Sequence, residues 1–111
     1  LCLVLQLETI EALDNLEDIA STNGVDGLFI GPGDLAASLG YLGNPSHPEV
    51  KRVIKETIFK IKRLGMPVGI FSLDLEYAEE CFNYGVDFIS VAMDTNLLMK
   101  SSKQIVSRFK K

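Results

Sequence analysis

The chain has 111 residues, the size of one small domain, and its 47% hydrophobic and 23% charged residues are ordinary for a soluble globular protein. Its formal net charge of −4 argues against nucleic acid or an anionic membrane surface as the main partner, because both require a basic protein face. The apolar opening segment, LCLVLQL, is too short to span a membrane and lacks the features of a signal peptide.

Four apolar runs along the chain have the length of β-strands. They cover residues 1–7, residues 28–30 with Val25 leading in, residues 68–71 and residues 88–91. The runs are nearly continuous rather than alternating, which is typical of parallel strands that are covered on both faces.

Helical patterns separate these runs, with apolar residues recurring at spacings of three and four over residues 10–20, 50–64, 75–82 and 97–109. Glycine follows each of the first three patterns as a helix stop, and basic residues end the fourth, where they complement the helix dipole. The resulting order, β-α-β-α-β-α-β-α, predicts an α/β fold of parallel βα units.

Two architectures suit this order, an open doubly wound sheet and part of an eight-stranded barrel. No strand is followed by the GxGxxG fingerprint, which weakens the dinucleotide-binding version of the doubly wound sheet. The chain has no low-complexity segment or linker, so we expect one domain or one piece of a domain.

Binding sites of parallel α/β folds lie at the carboxyl ends of the strands, where this sequence places several polar residues. They are Gln6, Glu8 and Thr9 after the first strand, Gly31, Pro32, Gly33 and Asp34 after the second, Phe71, Ser72 and Asp74 after the third, and Ala92, Met93, Asp94 and Thr95 after the fourth. Glu8 and Asp34 follow adjacent strands, and two such carboxylates could hold a hard divalent cation such as Mg²⁺ or Mn²⁺.

The Gly-Pro-Gly-Asp turn at residues 31–34 joins the second strand to a short helix that we expect over residues 35–39. Glycine lets the backbone approach a ligand closely, and free N–H groups at a helix start favour an anion. This 31–34 turn could therefore offer a metal carboxylate and an anion cradle side by side.

Each of these polar residues also has a purely structural interpretation. Asp34 could be only the N-cap of the short helix, and Glu8 a solvated first-turn carboxylate that complements a helix dipole. Asp74 and Asp94 are favoured as N-caps. His47, the single histidine, is favoured as a surface turn residue over a general base.

The two cysteines, Cys2 and Cys81, have neither metal-ligand spacing nor a nearby histidine. Both lie in apolar runs, so we expect buried, reduced thiols, which fit a cytoplasmic protein. The chain has no initiator methionine and opens inside an apparent core strand, so we expect that part of a longer chain is missing.

Three long strings resemble the HpcH/HpaI aldolase family of class II, metal-dependent pyruvate aldolases, which includes 4-hydroxy-2-oxoheptanedioate aldolase and 2-dehydro-3-deoxyglucarate aldolase. The strings are VLQLETIEALDNLEDIA, VDGLFIGPGDLAASLGYLGNPSHPEV and FISVAMDTNLLMK. The resemblance covers essentially all 111 residues. It implies the C-terminal half of a TIM (βα)₈ barrel, strands five to eight, so residues 1–111 would form a partial domain without its N-terminal half.

The resemblance also implies a binding site. Glu8 and Asp34 match the two metal carboxylates of the family, which would hold Mg²⁺, Mn²⁺ or Co²⁺. Gln6 matches a glutamine that contacts pyruvate, and the backbone amides of Gly33 and Asp34 match those that hold the pyruvate carboxylate. Phe71 matches a position that lines the pocket.

Pyruvate would thus bind across Gln6 and the 31–34 turn, which adds Gly31 and Pro32 to the expected substrate-binding residues. Ala92 stands where the family usually has glycine. The histidine base and the arginine of the family lie in the missing half, so we expect no catalytic residue in this chain, and His47 does not match the base.

The implied activity is that of a homo-oligomeric carbon–carbon lyase that cleaves a 4-hydroxy-2-oxo acid to pyruvate and an aldehyde, complete only with the missing half. The alternative is a catalytically inactive half-barrel that keeps the metal and pyruvate half-site or acts as an association module. Phosphate-ester recognition by the 31–34 turn ranks below both, because Asp34 would repel a phosphate unless a cation bridged them.

Overall fold

The strands and helices follow one another in the predicted order. The structure is a computed structural model that describes residues 1–110. The strands are β1 (Val4–Leu7), β2 (Gly27–Ile30), β3 (Val68–Phe71) and β4 (Phe88–Ser90). The helices are α1 (Ile10–Asp14), α2 (Leu16–Ser21), α3 (Pro32–Ser38), α4 (Pro48–Arg63), α5 (Leu75–Asn83) and α6 (Asp94–Phe109).

The four strands form one parallel sheet in the order β1-β2-β3-β4. Helices lie in every connection between neighbouring strands, as parallel pairing requires. The predicted α/β fold of parallel βα units is therefore confirmed. Strand order without a reversal is the arrangement of consecutive units in a barrel, whereas a doubly wound sheet reverses its order at a switch point.

One face of the sheet packs against helices and forms the core. Leu7, Ile30 and Ile70 lie at matched register positions on β1, β2 and β3 and are fully buried. α4 adds four fully buried side chains at helical spacing, which are Val50, Ile54, Ile58 and Ile61. Burial of these apolar surfaces is the main source of stability for this arrangement.

The opposite face of the sheet carries the row Gln6, Phe29, Gly69 and Phe88 across the four strands. A β-carbon at Gly69 would overlap the ring of Phe88, which stacks on Phe29 with ring centroids 5.8 Å apart. Phe88 remains 40% exposed. The continuous apolar runs predicted that both faces of the sheet are covered. In residues 1–110, helices cover only one face.

The segment predicted as one helix over residues 10–20 forms two helices that meet at Asn15. The Asn15 side chain donates to the carbonyl oxygen of Glu11 at 2.8 Å, and its backbone (φ −94°, ψ 13°) departs from helical values. Asparagine competes for backbone hydrogen bonds in this way, which explains the break. Gly24 follows with φ of 92°, the left-handed conformation that favours glycine after a helix.

The two cysteines differ in burial. Cys81 is fully buried on α5, as predicted, and burial raises the pKa of its thiol. Cys2 is exposed, so the prediction of a buried thiol there is wrong. The reason is that β1 begins only at Val4 and is an edge strand, which leaves Cys2 before the sheet. Both thiols are free.

α6 has an apolar stripe but contributes no buried residue to the described part of the chain. Six of its apolar side chains are more than half exposed, namely Leu97, Leu98, Met99, Ile105, Val106 and Phe109. Among residues 1–110, no helix has the length and apolar character needed to cross a membrane.

Candidate functional site

A cavity of about 470 Å³ lies at the carboxyl ends of the strands. All six residues predicted to bind substrate line it, which are Gln6, Gly31, Pro32, Gly33, Asp34 and Phe71. The fold thus brings the ends of β1, β2 and β3 around one space. A larger hollow of about 840 Å³ runs along α6, but that helix alone lines it, so it lacks the converging walls of a ligand site.

Gln6 and Glu8 are held together at the end of β1. The Gln6 side-chain amide donates to Glu8 Oε2 at 2.8 Å. Gly31 lies against both, because a β-carbon there would stand 2.5 Å from Gln6 Nε2 and 3.2 Å from Glu8 Oε2. Its φ of −100° suits any residue, so close approach rather than backbone twist requires glycine here. The missing β-carbon leaves room for the Gln6 amide and the Glu8 carboxylate beside the 31–34 turn.

Glu8 is half buried and lies outside the helix that follows it. Thr9 is the N-cap of α1, with its side chain accepting from the Ala12 amide at 3.1 Å, and Glu11 is the acidic residue of the first turn. The interpretation of Glu8 as a first-turn carboxylate is therefore wrong. Glu8 precedes the N-cap and instead accepts from Gln6.

Asp34 lies in the first turn of α3, which begins at Pro32 rather than at the predicted residue 35. Gly31 occupies the N-cap position and no side chain caps the helix, so the interpretation of Asp34 as an N-cap is wrong. Proline suits the first helical position because its missing N–H would have no acceptor there. Asp34 is exposed and lines the cavity, where a ligand can reach its carboxylate.

Gly33 and Asp34 also place their backbone N–H groups in this first turn. A helix supplies no internal acceptor for its first N–H groups, and their partial positive charge favours an anion. A β-carbon at Gly33 would meet nothing within 4 Å, so the space beside the Gly33 Cα is open.

The carboxylates at this edge have the donor chemistry of ligands for a hard divalent cation; Asp34 lines the cavity, whereas Glu8 is not among its lining residues. Glu8 and Asp34 offer carboxylates at the ends of neighbouring strands, which is the donor chemistry that such cations prefer. Across residues 1–110, no group of three or more His, Cys, Asp or Glu side chains converges as a metal site. Water and substrate would therefore complete the coordination of a cation held by this pair.

Six further residues line the cavity without having been singled out as binding residues from the sequence. They are Pro45, Ser46, Ser72, Leu73, Asp74 and Tyr77. Ser72 and Asp74 follow a strand and were visible in the pattern of strand ends. Pro45 and Ser46 lie far from any strand along the chain, and no sequence signal marks them as residues that line the cavity.

The two predicted N-caps have different outcomes. Asp74 caps α5 as predicted, with its Oδ1 accepting from the amides of Glu76 at 3.1 Å and Tyr77 at 3.3 Å. The prediction for Asp94 is wrong, because Met93 holds the N-cap position of α6. Asp94 lies one residue inside the helix and accepts from the next amide instead.

Tyr77 adds a buried phenol to the residues that line the cavity. Its hydroxyl is the single buried side-chain polar atom without a hydrogen-bond partner in the described chain. Burial, with smaller contributions from Cys81, raises the pKa of Tyr77 far above its usual value. The Lys51 ammonium lies 4.2 Å from the centre of the ring, a cation–π contact that anchors α4 to α5.

His47 lies in the turn before α4, as predicted, and caps that helix. Its Nδ1 accepts from the Glu49 amide at 3.1 Å. Its ring stacks on Tyr41 with centroids 3.8 Å apart. His47 is not among the residues that line the cavity.

The family model described as HpcH/HpaI aldolase/citrate lyase matches residues 1–101 of this chain. A pyruvate aldolase from Rhizobium etli is 49% identical over 109 residues, and a hydroxypyruvate/pyruvate aldolase from Pseudomonas aeruginosa is 46% identical over 110 residues. These matches cover 98% and 99% of this chain but 43% and 41% of the relatives. The chain therefore spans about four tenths of the length of these curated relatives.

Solved structures share the fold. The crystal structure of an HpcH/HpaI aldolase/citrate lyase family protein from Burkholderia cenocepacia matches with a TM-score of 0.89 at 36% identity, over 100% of this chain and 43% of that one. A citrate lyase beta subunit from M. tuberculosis, solved with oxaloacetate and magnesium, matches with a TM-score of 0.65 over 82% of this chain and 47% of that one. Its identity of 20% supports the fold alone.

Proposed function

Because the chain belongs to the HpcH/HpaI aldolase/citrate lyase family, we propose that it forms the metal- and pyruvate-binding half of a carbon–carbon lyase. The reaction is the aldol cleavage of a 4-hydroxy-2-oxo acid to pyruvate and an aldehyde. The observation that carries the proposal is the strand-end cavity, which Gln6, the 31–34 turn and Phe71 line together. The relatives named as pyruvate aldolases support pyruvate as the shared reactant.

In this proposal, Glu8 and Asp34 hold a divalent cation, which is Mg²⁺, Mn²⁺ or Co²⁺. When bound, the cation supplies Lewis-acid stabilisation of the negative charge that develops on the keto oxygen. Gln6 keeps the Glu8 carboxylate in one orientation through their 2.8 Å hydrogen bond. A ligand carboxylate of this kind gains binding strength when neighbouring groups fix it.

The other residues of the chain bind and orient the 2-oxo acid. The Gly33 and Asp34 amides donate to its carboxylate, and the Gln6 amide has a second N–H and a carbonyl oxygen free for the ligand. Phe71 is half buried in the cavity wall and limits the space beyond the pyruvate part. Holding the substrate in one orientation lowers the entropic part of the barrier.

Proton transfer is assigned to residues outside this chain. The family resemblance places the base that takes the C4 hydroxyl proton, and the arginine beside the keto oxygen, in the part of the relatives that this chain does not cover. His47 does not serve in their place, because its Nδ1 caps α4 and its ring is stacked on Tyr41.

The test is pyruvate release from a 4-hydroxy-2-oxo acid by the complete protein, with and without Mg²⁺, Mn²⁺ or Co²⁺. Glu8→Gln and Asp34→Asn should each lower kcat/KM by at least about 100-fold, since each removes a charged ligand worth several kcal/mol. Glu11→Gln and Asp14→Asn, which change exposed carboxylates of α1, are the matched controls. Metal-independent turnover, or equal losses in the controls, would refute the proposal.

The second candidate is a half-barrel that associates through its apolar surfaces and does not turn over substrate. The open sheet face around Phe29 and Phe88 and the exposed stripe of α6 favour it. Metal binding at Glu8 and Asp34 without pyruvate release in the complete protein would favour this candidate over the lyase.

A further inference from the structure

The connection between α3 and α4, residues 39–47, forms a second wall of the cavity. Pro45 and Ser46 of this connection line it, as do Phe71 at the end of β3 and Leu73 of the connection between β3 and α5. This wall comes from segments other than the 31–34 turn. It therefore adds a surface that the proposed pyruvate contacts do not use.

Local contacts hold this connection in one position. The Tyr41 amide donates to the carbonyl oxygen of Ala36 at 2.7 Å, which fixes Tyr41 to α3. The His47 ring stacks on Tyr41 at 3.8 Å with an interplanar angle of 19°, while its Nδ1 caps α4 through the Glu49 amide. Ser46 immediately precedes His47, so the contacts of His47 restrict the positions that Ser46 can take.

Ser46 has a hydroxyl that is free to bind a ligand. Its side chain is exposed at the cavity and takes part in no hydrogen bond among the described residues. Of the other two hydroxyls at the cavity, that of Ser72 donates to the carbonyl oxygen of Asp74 at 2.8 Å, and that of Tyr77 is buried. Phe71 and Leu73 add apolar surface beside it. An exposed hydroxyl on Ser46, in a wall that also carries the apolar surfaces of Phe71 and Leu73, suits a short aldehyde that carries a hydroxyl next to its carbonyl group.

We propose that Ser46 determines specificity for the aldehyde part of the substrate, favouring 2-hydroxyaldehydes, and that the stack of Tyr41 and His47 positions it. This inference rests on the proposed function, which places pyruvate at Gln6 and the 31–34 turn. The part of the substrate that becomes the aldehyde then faces the remaining wall. Tyr41 and His47 touch neither reactant and act only through the position of Ser46.

The test uses the complete protein in the condensation direction, with pyruvate and either glycolaldehyde or acetaldehyde, which differ by one hydroxyl. Ser46→Ala should lower the ratio of kcat/KM for glycolaldehyde over acetaldehyde by about 2- to 10-fold, the effect of one hydrogen bond, and leave the KM for pyruvate unchanged. Ser21→Ala is the matched control, because Ser21 lies at the far end of the sheet and donates only to Asp18.

The positioning role predicts a pattern that general destabilisation does not produce. Tyr41→Phe keeps the aromatic stack and should keep the wild-type aldehyde ratio, whereas Tyr41→Ala should lower the ratio as Ser46→Ala does. The double variant Tyr41→Ala with Ser46→Ala should lower it no further, because both changes remove one interaction. Additive losses, or a Tyr41→Ala variant with an unchanged ratio, would overturn the positioning role.

Exchange of the pyruvate methyl protons in D₂O, followed by NMR, separates this inference from the proposed function, because it needs pyruvate and no aldehyde. We expect exchange at the wild-type rate in Ser46→Ala. A wild-type protein that neither exchanges nor condenses would overturn both proposals. Normal exchange in Ser46→Ala with an unchanged aldehyde ratio would overturn the specificity role alone.

Discussion

Gly31→Ala is the most informative single change at this site, because it adds one methyl group at the contact with Gln6 and Glu8. The new β-carbon would stand 2.5 Å from Gln6 Nε2, 3.2 Å from Glu8 Oε2 and 3.3 Å from Glu8 Cβ. Non-bonded atoms in comfortable contact are about 3.5 Å apart, so the Gln6 amide must move by about 1 Å. We expect that movement to break its 2.8 Å hydrogen bond to Glu8.

The expected energetic cost follows from these two effects. Overpacking costs about 1–3 kcal/mol, and we expect the lower value because the nearest atom is the end of a flexible side chain. Loss of a hydrogen bond to a charged group adds about 1.5 kcal/mol. We therefore expect Gly31→Ala to lower the free energy of unfolding by about 2.5 kcal/mol and to weaken Mn²⁺ binding about tenfold.

Chemical unfolding and isothermal titration with Mn²⁺, both on the complete protein, measure these quantities. Gly33→Ala is the matched control for stability, because a β-carbon there meets nothing within 4 Å and its φ lies outside the left-handed region. Its free energy of unfolding should stay within about 0.5 kcal/mol of wild type. If the two variants are equally stable and bind Mn²⁺ equally well, the packing of Gly31 against Gln6 and Glu8 is not what requires glycine.

Three further predictions concern the pocket, pH and assembly. Phe71→Leu in the complete protein should change aldehyde preference more than the KM for pyruvate, and equal changes for every aldehyde would contradict this. The Val68 amide, and to a lesser extent the Lys62 ammonium, lower the pKa of Asp87 in the folded protein. The charged Asp87 therefore stabilises the fold above the pKa of an unfolded aspartate, which is about 4. This stabilisation is lost as the pH falls through the lower pKa of the folded state. Unfolding midpoints from pH 6 to pH 2 should therefore fall less in Asp87→Asn than in wild type, while Asp14→Asn should match wild type. The isolated 111 residues should self-associate or be partly molten, because the edges of β1 and β4 are unpaired and α6 is uncovered. Size-exclusion chromatography with light scattering at micromolar concentration checks this, and a compact monomer with a sharp melt would disprove it.

Local sequence signals predicted the elements of this fold, because each depends on a few neighbouring residues. The apolar runs placed β2 and β3 within one residue of their ends, and the glycines at 24, 65 and 85 marked the helix ends. The alternation of strands and helices also placed Gln6, the 31–34 turn and Phe71 at the same edge of the sheet. Parallel strands joined by helices leave no other arrangement of their carboxyl ends.

Helix starts were predicted less well, because a start depends on which backbone groups find acceptors. Asp34 and Asp94 each match the composition of an N-cap, yet Pro32 and Asp94 are already helical in the structure. The exposure of Cys2 follows from its place before an edge strand, which an apolar pattern does not reveal.

By itself, the sequence determined the parallel βα order and the residues that end each strand, since periodicity and turn chemistry act over three or four positions. Only the tertiary structure decided that Gly31 packs against Gln6 and Glu8, and that Pro45 and Ser46 join the cavity wall. These contacts connect segments far apart in the chain. Their geometry is set by how α3 and α4 pack on the sheet and by the stack of Tyr41 and His47, and packing of this kind leaves no periodic trace in the sequence.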